Sequence, residues 1–390
     1  MISSRLQADL TPNAVSRAIA ARLRSGRTII DLTESNPTRV GIPYASDLLA
    51  PLSDPAALTY DPQPLGLASA REAVAQEYVR HGLAVEAGRV SLTSSTSEAY
   101  ALLFKLFCDP GDEVIVPQPS YPLFDHLTRL EAVRTVPYEL EYHGSWRIDL
   151  ESVTAAVSAR SRAVLVVSPN NPTGSFLHAD DLAALTGICD AHGLALIGDE
   201  VFFDYPLDPA LSAVSVLSQD RVLTCALGGL SKSGGLPQVK LGWIVWAGPG
   251  EPVAKAMHAY EIIADSYLSV STPVQVAAPT LLQSVGEVRA RIHGRVQRNL
   301  RELRRACAQT PAVTTLRVEG GWSAVVQVPA VRSEEELVMT LVTDDGVLVH
   351  PGYFFDMARE AYLVLSLIVE PATFDAGLAL VLQRAAGDHS

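Results

Sequence analysis

The chain has 390 residues, 48% hydrophobic and 19% charged, a composition that favours a globular protein of roughly two or three domains over a disordered one. A formal net charge of −13 argues against a nucleic-acid partner or an anionic membrane surface, so any bound phosphate must be held by local groups. The four cysteines form no CxxC pair and the nine histidines no HExxH arrangement, and no stretch reaches the roughly 18 apolar residues of a membrane span; a cytoplasmic chain without a metal is expected.

In chain order, Thr11-Pro-Asn13 is expected to open a surface helix carrying Arg17, Arg22, Arg24 and Arg27; a transit peptide is the other reading of those arginines. Thr93-Ser-Ser-Thr-Ser-Glu-Ala-Tyr100 opens a helix running to Phe107. Its N–H groups, with Thr96 and Ser97, either attract a phosphate or only cap the helix. Four apolar, β-branched runs, at 113–117, 163–167, 194–198 and 221–226, suit strands buried on both faces of a parallel sheet. Between them the stretch Asp180–His192 reads as a helix capped by acidic residues and ended by Gly193. Strand–helix alternation gives an open α/β sheet, whose ligands bind beyond the carboxyl ends of the strands. An Arg-rich helix at 284–309, a turn at Gly320-Gly321 and alternating segments at 323–328 and 362–369 read as a separate α+β layer. A large domain is therefore expected over 51–274, and a smaller one over 1–50 with 275–390.

Three polar groups follow those strands. In Leu227-Gly-Gly-Leu-Ser-Lys-Ser-Gly-Gly-Leu-Pro-Gln-Val-Lys240, Lys232 is crowded by glycine and serine, and reads either as structural or as an amine held beside an anionic ligand and able to condense with an aldehyde. A Walker loop is excluded because serine precedes the lysine, and no GxGxxG occurs. Asp199 ends an apolar strand, where a carboxylate needs a partner: a helix N–H, an arginine, or a protonated pyridine nitrogen. Asn171, in Ser168-Pro-Asn-Asn-Pro-Thr-Gly174, is either a plain turn residue or a donor to a ring oxygen. Tyr121, in Pro117-Gln-Pro-Ser-Tyr-Pro122, either packs or stacks on a planar ring. Together these groups suit pyridoxal 5'-phosphate.

The ordered set Tyr60…Gly66, Ser95-Thr-Ser-Glu-Ala, Pro119-Ser-Tyr121, Asn170-Asn-Pro-Thr-Gly174, Asp199-Glu200 and Ser231-Lys232…Lys240-Leu-Gly242 resembles the class I/II pyridoxal-phosphate aminotransferases of fold type I, over essentially the whole chain. The resemblance implies a large domain with a mostly parallel sheet and a smaller α+β domain. It makes Lys232 the cofactor-anchoring lysine and proton shuttle, Asp199 the partner of the pyridine nitrogen, and Asn171 the donor to the ring oxygen. Tyr121 would stack on the ring, while Thr96, Ser97, Ser231 and Lys240 hold the phosphate. A homodimer is implied, with Tyr60 reaching the neighbouring subunit's phosphate. The substrates implied are an amine or amino acid and an oxo acid.

Three positions depart from the family pattern. Lys240 stands where an arginine is usual, which keeps the charge but loses the bidentate fork. Phe202 replaces a tyrosine whose phenol donates to the ring oxygen; Tyr205 is the nearby candidate to substitute. Val364, in Tyr362-Leu-Val-Leu-Ser366, replaces the arginine that takes the substrate carboxylate. Ser35 and Arg39, in Ser35-Asn-Pro-Thr-Arg39, become the candidates to contact substrate, with His350 and Trp322 on the same side. An atypical amino donor or acceptor is expected. A lyase (β-elimination or decarboxylation), a racemase and a non-catalytic cofactor-binding regulator are the competing functions.

Overall fold

The computed structural model describes residues 3, 5, 6 and 11–387. Eight strands form its main sheet: β1 (Val90–Thr93), β2 (Glu113–Gln118), β3 (Arg134–Tyr142), β4 (Trp146–Ile148), β5 (Ser161–Val167), β6 (Ala195–Asp199), β7 (Thr224–Gly229) and β8 (Gly242–Ala247). They lie in the order β1-β8-β7-β6-β5-β2-β3-β4. The run from β7 through β6, β5 and β2 to β3 is parallel, whereas β8 is antiparallel to both β7 and β1, and β4 is antiparallel to β3. This is the expected large α/β domain with a mostly parallel sheet.

Alternation along the inner strands supplies two cores from one sheet. Ala163, Leu165, Ala195 and Ile197 pack with Ala99, Leu103 and Phe104 of helix Thr96–Phe107 on one face. Val164, Val166 and Leu196 join the larger core on the other face. Both faces being covered explains why these strands read as nearly continuous apolar runs.

Several expected boundaries move, each for a local reason. The run expected at 221–226 is shifted to Thr224–Gly229, so the two glycines belong to the strand rather than to a loop. Gly228 pairs with Trp243, and a Cβ on it would lie 2.3 Å from the Trp243 Nε1. The missing side chain is what admits the indole. The helix after β5 is Ala179–His192, with His178 at its N-cap and no side-chain cap. Asp180 and Asp181 sit in its first turn, where they face the positive end of the dipole rather than cap it. Its C-terminus turns at Gly193 with φ 66°, the left-handed geometry that glycine adopts without strain. The Arg-rich helix spans Gly286–Ala308 and is preceded by a separate helix, Thr272–Ser284, which runs across position 275. The Gln275 side chain in that helix accepts from the Leu67 N–H at 2.7 Å.

A second, antiparallel sheet holds β9 (Thr314–Thr315), β10 (Ser323–Gln327), β11 (His350–Pro351) and β12 (Tyr362–Ser366), in the order β9-β10-β12-β11. Near the N-terminus, helix Ala14–Arg24 is capped by Asn13, and Ile30–Asp31 pairs in parallel with Val347–Leu348. The following residues lie against β12: the Ser366 N–H donates to the Leu32 carbonyl at 2.7 Å. No helix among the described residues is long and apolar enough to cross a membrane.

Candidate active site

Because β5, β6 and β7 are adjacent and parallel, their carboxyl ends meet at one edge of the sheet. Asn171 follows the first, Asp199 ends the second, and Lys232 follows the third in the one-turn helix Leu230–Ser233. Sequence separation hides this proximity; the parallel register creates it.

Lys232 is clamped from below. Tyr205 donates its hydroxyl to the Lys232 carbonyl at 2.6 Å, and Ser233 donates to the Gly229 carbonyl at 3.1 Å. The amine projects to 5.3 Å from the Phe202 ring centroid and 5.0 Å from that of Trp322. Burial against these apolar faces lowers its pKa to about 8, while the carboxylates of Asp199 and Glu34 pull it back up. The amine is therefore much closer to a proton-accepting state at neutral pH than a surface lysine. Tyr205 is not free to donate to a ring oxygen beside Phe202, because its hydroxyl is committed to the backbone beneath the lysine.

Among the described residues, Asp199 has neither a helix cap nor an arginine for a partner. Its Oδ2 accepts from the Tyr100 hydroxyl at 2.7 Å, and its Oδ1 accepts from the Val201 N–H at 3.1 Å. Burial pushes this carboxyl up, and the Tyr100 and Val201 donors pull it partly back. Tyr100 was not among the sequence candidates. It is 1% exposed and lies on the inward face of helix Thr96–Phe107. Replacing Tyr100 with phenylalanine removes a donor to a buried anion, an interaction worth about 1.5–3 kcal/mol. The expected outcome is a lowered melting temperature of the apo-protein together with weaker hold on any cation paired with Asp199, read by thermal melts with and without ligand.

Ser95 answers the capping question, since its Oγ accepts from the Glu98 N–H at 3.1 Å. Thr96 and Ser97 are thus first-turn residues with partly exposed side chains, and the helix N-terminus is open to an anion. The backbone draws close here: a Cβ on Gly242 would lie 2.9 Å from the Ser95 carbonyl carbon, and one on Gly229 would lie 3.3 Å from the Gly242 Cα. Ser231 is partly buried two residues after Gly229, and Lys240 is exposed in left-handed geometry, φ 59°, two residues before Gly242. Thr96 lies nearest this approach, its Cγ2 3.9 Å from where a Cβ on Gly229 would stand.

Asn171 is half-buried, its Oδ1 accepting from the Ser323 hydroxyl at 3.2 Å, which leaves its amide nitrogen to donate. Tyr121 is 45% exposed and 6.5 Å from Phe355. Val364 is buried on β12 between Val325 and His350. Ser35 and Arg39 are exposed on their loop, and it is Glu34, just before them, whose charge reaches Lys232. Glu34 was also missed: in Ile29-Ile-Asp-Leu-Thr-Glu34 the apolar run is already broken by Asp31, so the pattern that marked Asp199 does not single it out. Tyr60, 71% exposed in a groove with Tyr267 and Gln275, makes no described contact with Lys232 within one chain.

An amine with a depressed pKa, a desolvated carboxylate and an amide thus sit at neighbouring strand ends. The family described as aminotransferase class I and II matches residues 48–374, and the chain belongs to it. The glutamate–pyruvate aminotransferase AlaA of Haemophilus influenzae is 26% identical over 341 residues, covering 85% of this chain and 84% of its own length. An alanine aminotransferase of Mycobacterium bovis is 27% identical over 381 residues, covering 94% and 86% respectively. An aminotransferase structure from Escherichia coli matches with a TM-score of 0.88 at 23% identity, over 100% of this chain and 99% of that one, a likeness of fold. Aminotransferase activity is the general function these comparisons support.

Proposed function

We propose that the protein is a pyridoxal-phosphate-dependent aminotransferase that moves an amino group between an amino donor and an oxo acceptor, with substrate recognition unlike the family's usual arginine-based mode. The convergence of Lys232, Asp199 and Asn171 at three adjacent parallel strand ends carries this reading. When bound, the cofactor supplies an aldehyde for the lysine and an electron-withdrawing ring.

The residues present fit that group. Asp199 would hold the ring nitrogen's proton, itself fixed by Tyr100 and Val201. The Asn171 amide would donate to the ring oxygen, and Tyr121 would cover one ring face. Thr96, Ser97, Ser231 and Lys240 would take the phosphate. Lys232 Nζ, freed when the donor amine replaces it, would take the proton from the amine-bearing carbon of the donor and return it on the other side of the exchange. Phe202 and Trp322, whose rings flank the amine, would keep water away from that transfer.

The exposure of Tyr60 together with Leu58 at 89% and Tyr267 at 54% supports a homodimer in which Tyr60 completes the neighbouring phosphate site. The parallel pairing of Ile30–Asp31 with Val347–Leu348 supports a small domain of 1–50 with 275–390 beside a large domain of 51–274. Four free cysteines, three of them buried, suit a reducing cytoplasm.

A half-transamination screen tests the reaction type. Mixing holoenzyme with an excess of amino donors should give stoichiometric pyridoxamine phosphate and oxo product, read by the loss of the chromophore's absorbance and by mass spectrometry. Release of ammonia or carbon dioxide without the pyridoxamine form would instead establish a lyase.

A further inference from the structure

The segment after Leu32 is bonded to the last strand of the small sheet at two points. Ser366 donates its N–H to the Leu32 carbonyl and its hydroxyl to the Glu34 carbonyl, both at 2.7 Å. Glu34 thereby hangs at the end of β12, two residues along from Val364. Ser366 pairs with Ser323, whose neighbour Trp322 has its ring 5.0 Å from the Lys232 amine. Glu34, Trp322 and Lys232 thus share one lip of the site, with Val364 buried behind it, and the charges felt at Lys232 are the two carboxylates, Asp199 and Glu34.

The Glu34 side chain is anchored on one side only. Its Oε1 accepts from the Asn36 N–H at 2.8 Å, while its Oε2 has no hydrogen-bond partner among the described residues and the residue is partly exposed. A donor that brings a carboxylate to this lip meets fixed negative charge and a buried valine. A donor that brings a second cation meets an anchored carboxylate with a vacant acceptor, in a half-desolvated place where such a pair is stronger than in water.

We infer that Glu34 is a specificity residue selecting amino donors that carry a second positive charge, such as short diamines, over simple α-amino acids. This rests on the aminotransferase reading above and adds the substrate class to it. The competing role for Glu34 is a plain turn acceptor for Asn36. Glu34→Gln separates the two, because glutamine keeps the amide oxygen for the Asn36 N–H and removes only the charge.

The test is single-turnover conversion of the holoenzyme by 1,4-diaminobutane, 1,5-diaminopentane, butylamine, L-alanine and L-glutamate, in wild type, E34Q and V364R. In the wild type a diamine should convert the cofactor at least about tenfold more efficiently than butylamine or alanine. In E34Q the diamine-to-butylamine ratio should fall toward one, with the melting temperature unchanged, and V364R should raise the rate with alanine or glutamate. A wild type that prefers alanine or glutamate, or an E34Q variant that keeps the diamine ratio, overturns this inference and leaves transamination standing. Failure of every amine to convert the cofactor overturns transamination, and this inference with it.

Discussion

Lys232→Ala is expected to abolish both the borohydride-trapped cofactor adduct and the proton transfer, lowering single-turnover rates by at least about 10²–10⁴-fold. The fold should survive the change. The lysine backbone, not its amine, carries the contact with Tyr205, and the amine rests between the Phe202 and Trp322 rings without a hydrogen-bond partner among the described residues. Truncation leaves a small apolar gap and no stranded buried anion, because Asp199 retains Tyr100 and Val201. Lys232→Arg is the sharper control. It keeps a cation beside Asp199 and Glu34, but a guanidinium does not release its proton, so it restores charge without restoring a base. If K232R recovered turnover, the amine would have been acting only as a counter-ion. If K232A still gave the trapped adduct, the anchoring lysine would lie elsewhere.

Much of this site is legible in the sequence because each element announces itself locally. The apolar strands at 163–167 and 194–198 end in polar residues, and in a parallel sheet buried on both faces a polar group at a strand end points at ligand or at a partner. Asp199 is singled out that way, and Asn171 by the turn-forming run that follows its strand. What was not legible is contact across long sequence separation. Tyr100 reads as one more ring on an amphipathic helix, and its bond to Asp199 joins residues 99 apart. Glu34 reads as a turn acceptor for Asn36, and only its placement against Ser366, 332 residues away, brings it to the site. Glycine misled in a different way. Gly228 and Gly229 read as following the strand that ends at 226, but their missing side chains are filled by Trp243 and by the Leu241–Gly242 backbone, so they continue it. Phe202 and Tyr205 show the same limit at short range: sequence offers a tyrosine three residues from the phenylalanine, and the fold aims it at the Lys232 carbonyl instead.

Asp199→Asn is expected to weaken both cofactor binding and turnover, the latter by about 10²–10³-fold. The magnitude follows from removing one partner of a buried charge pair, which costs about 3–5 kcal/mol. Two separate losses contribute. The first is chemical: an amide does not hold a proton on the ring nitrogen, so electron withdrawal at the reacting carbon falls. The second is structural. The carboxylate accepts Tyr100 on Oδ2 and Val201 on Oδ1, whereas an amide accepts on one oxygen only. If the amide oxygen keeps the Val201 N–H, its NH₂ group faces the Tyr100 hydroxyl, which accepts from it but loses the acceptor for its own buried proton, at a cost of about 1–3 kcal/mol. The apo-variant should consequently melt several degrees lower, a loss visible before any cofactor is added. Pairing D199N with Y100F divides the two contributions. With phenylalanine at 100, the amide oxygen can turn to the Val201 N–H, so most of the stability returns while the rate stays low. A cofactor analogue methylated on the ring nitrogen carries its charge permanently and should restore part of the rate to D199N, though not to K232A. A double variant that melted no higher than D199N alone would show that Tyr100 does not compete for this carboxylate. A D199N enzyme with undiminished turnover would remove Asp199 from the ring nitrogen altogether.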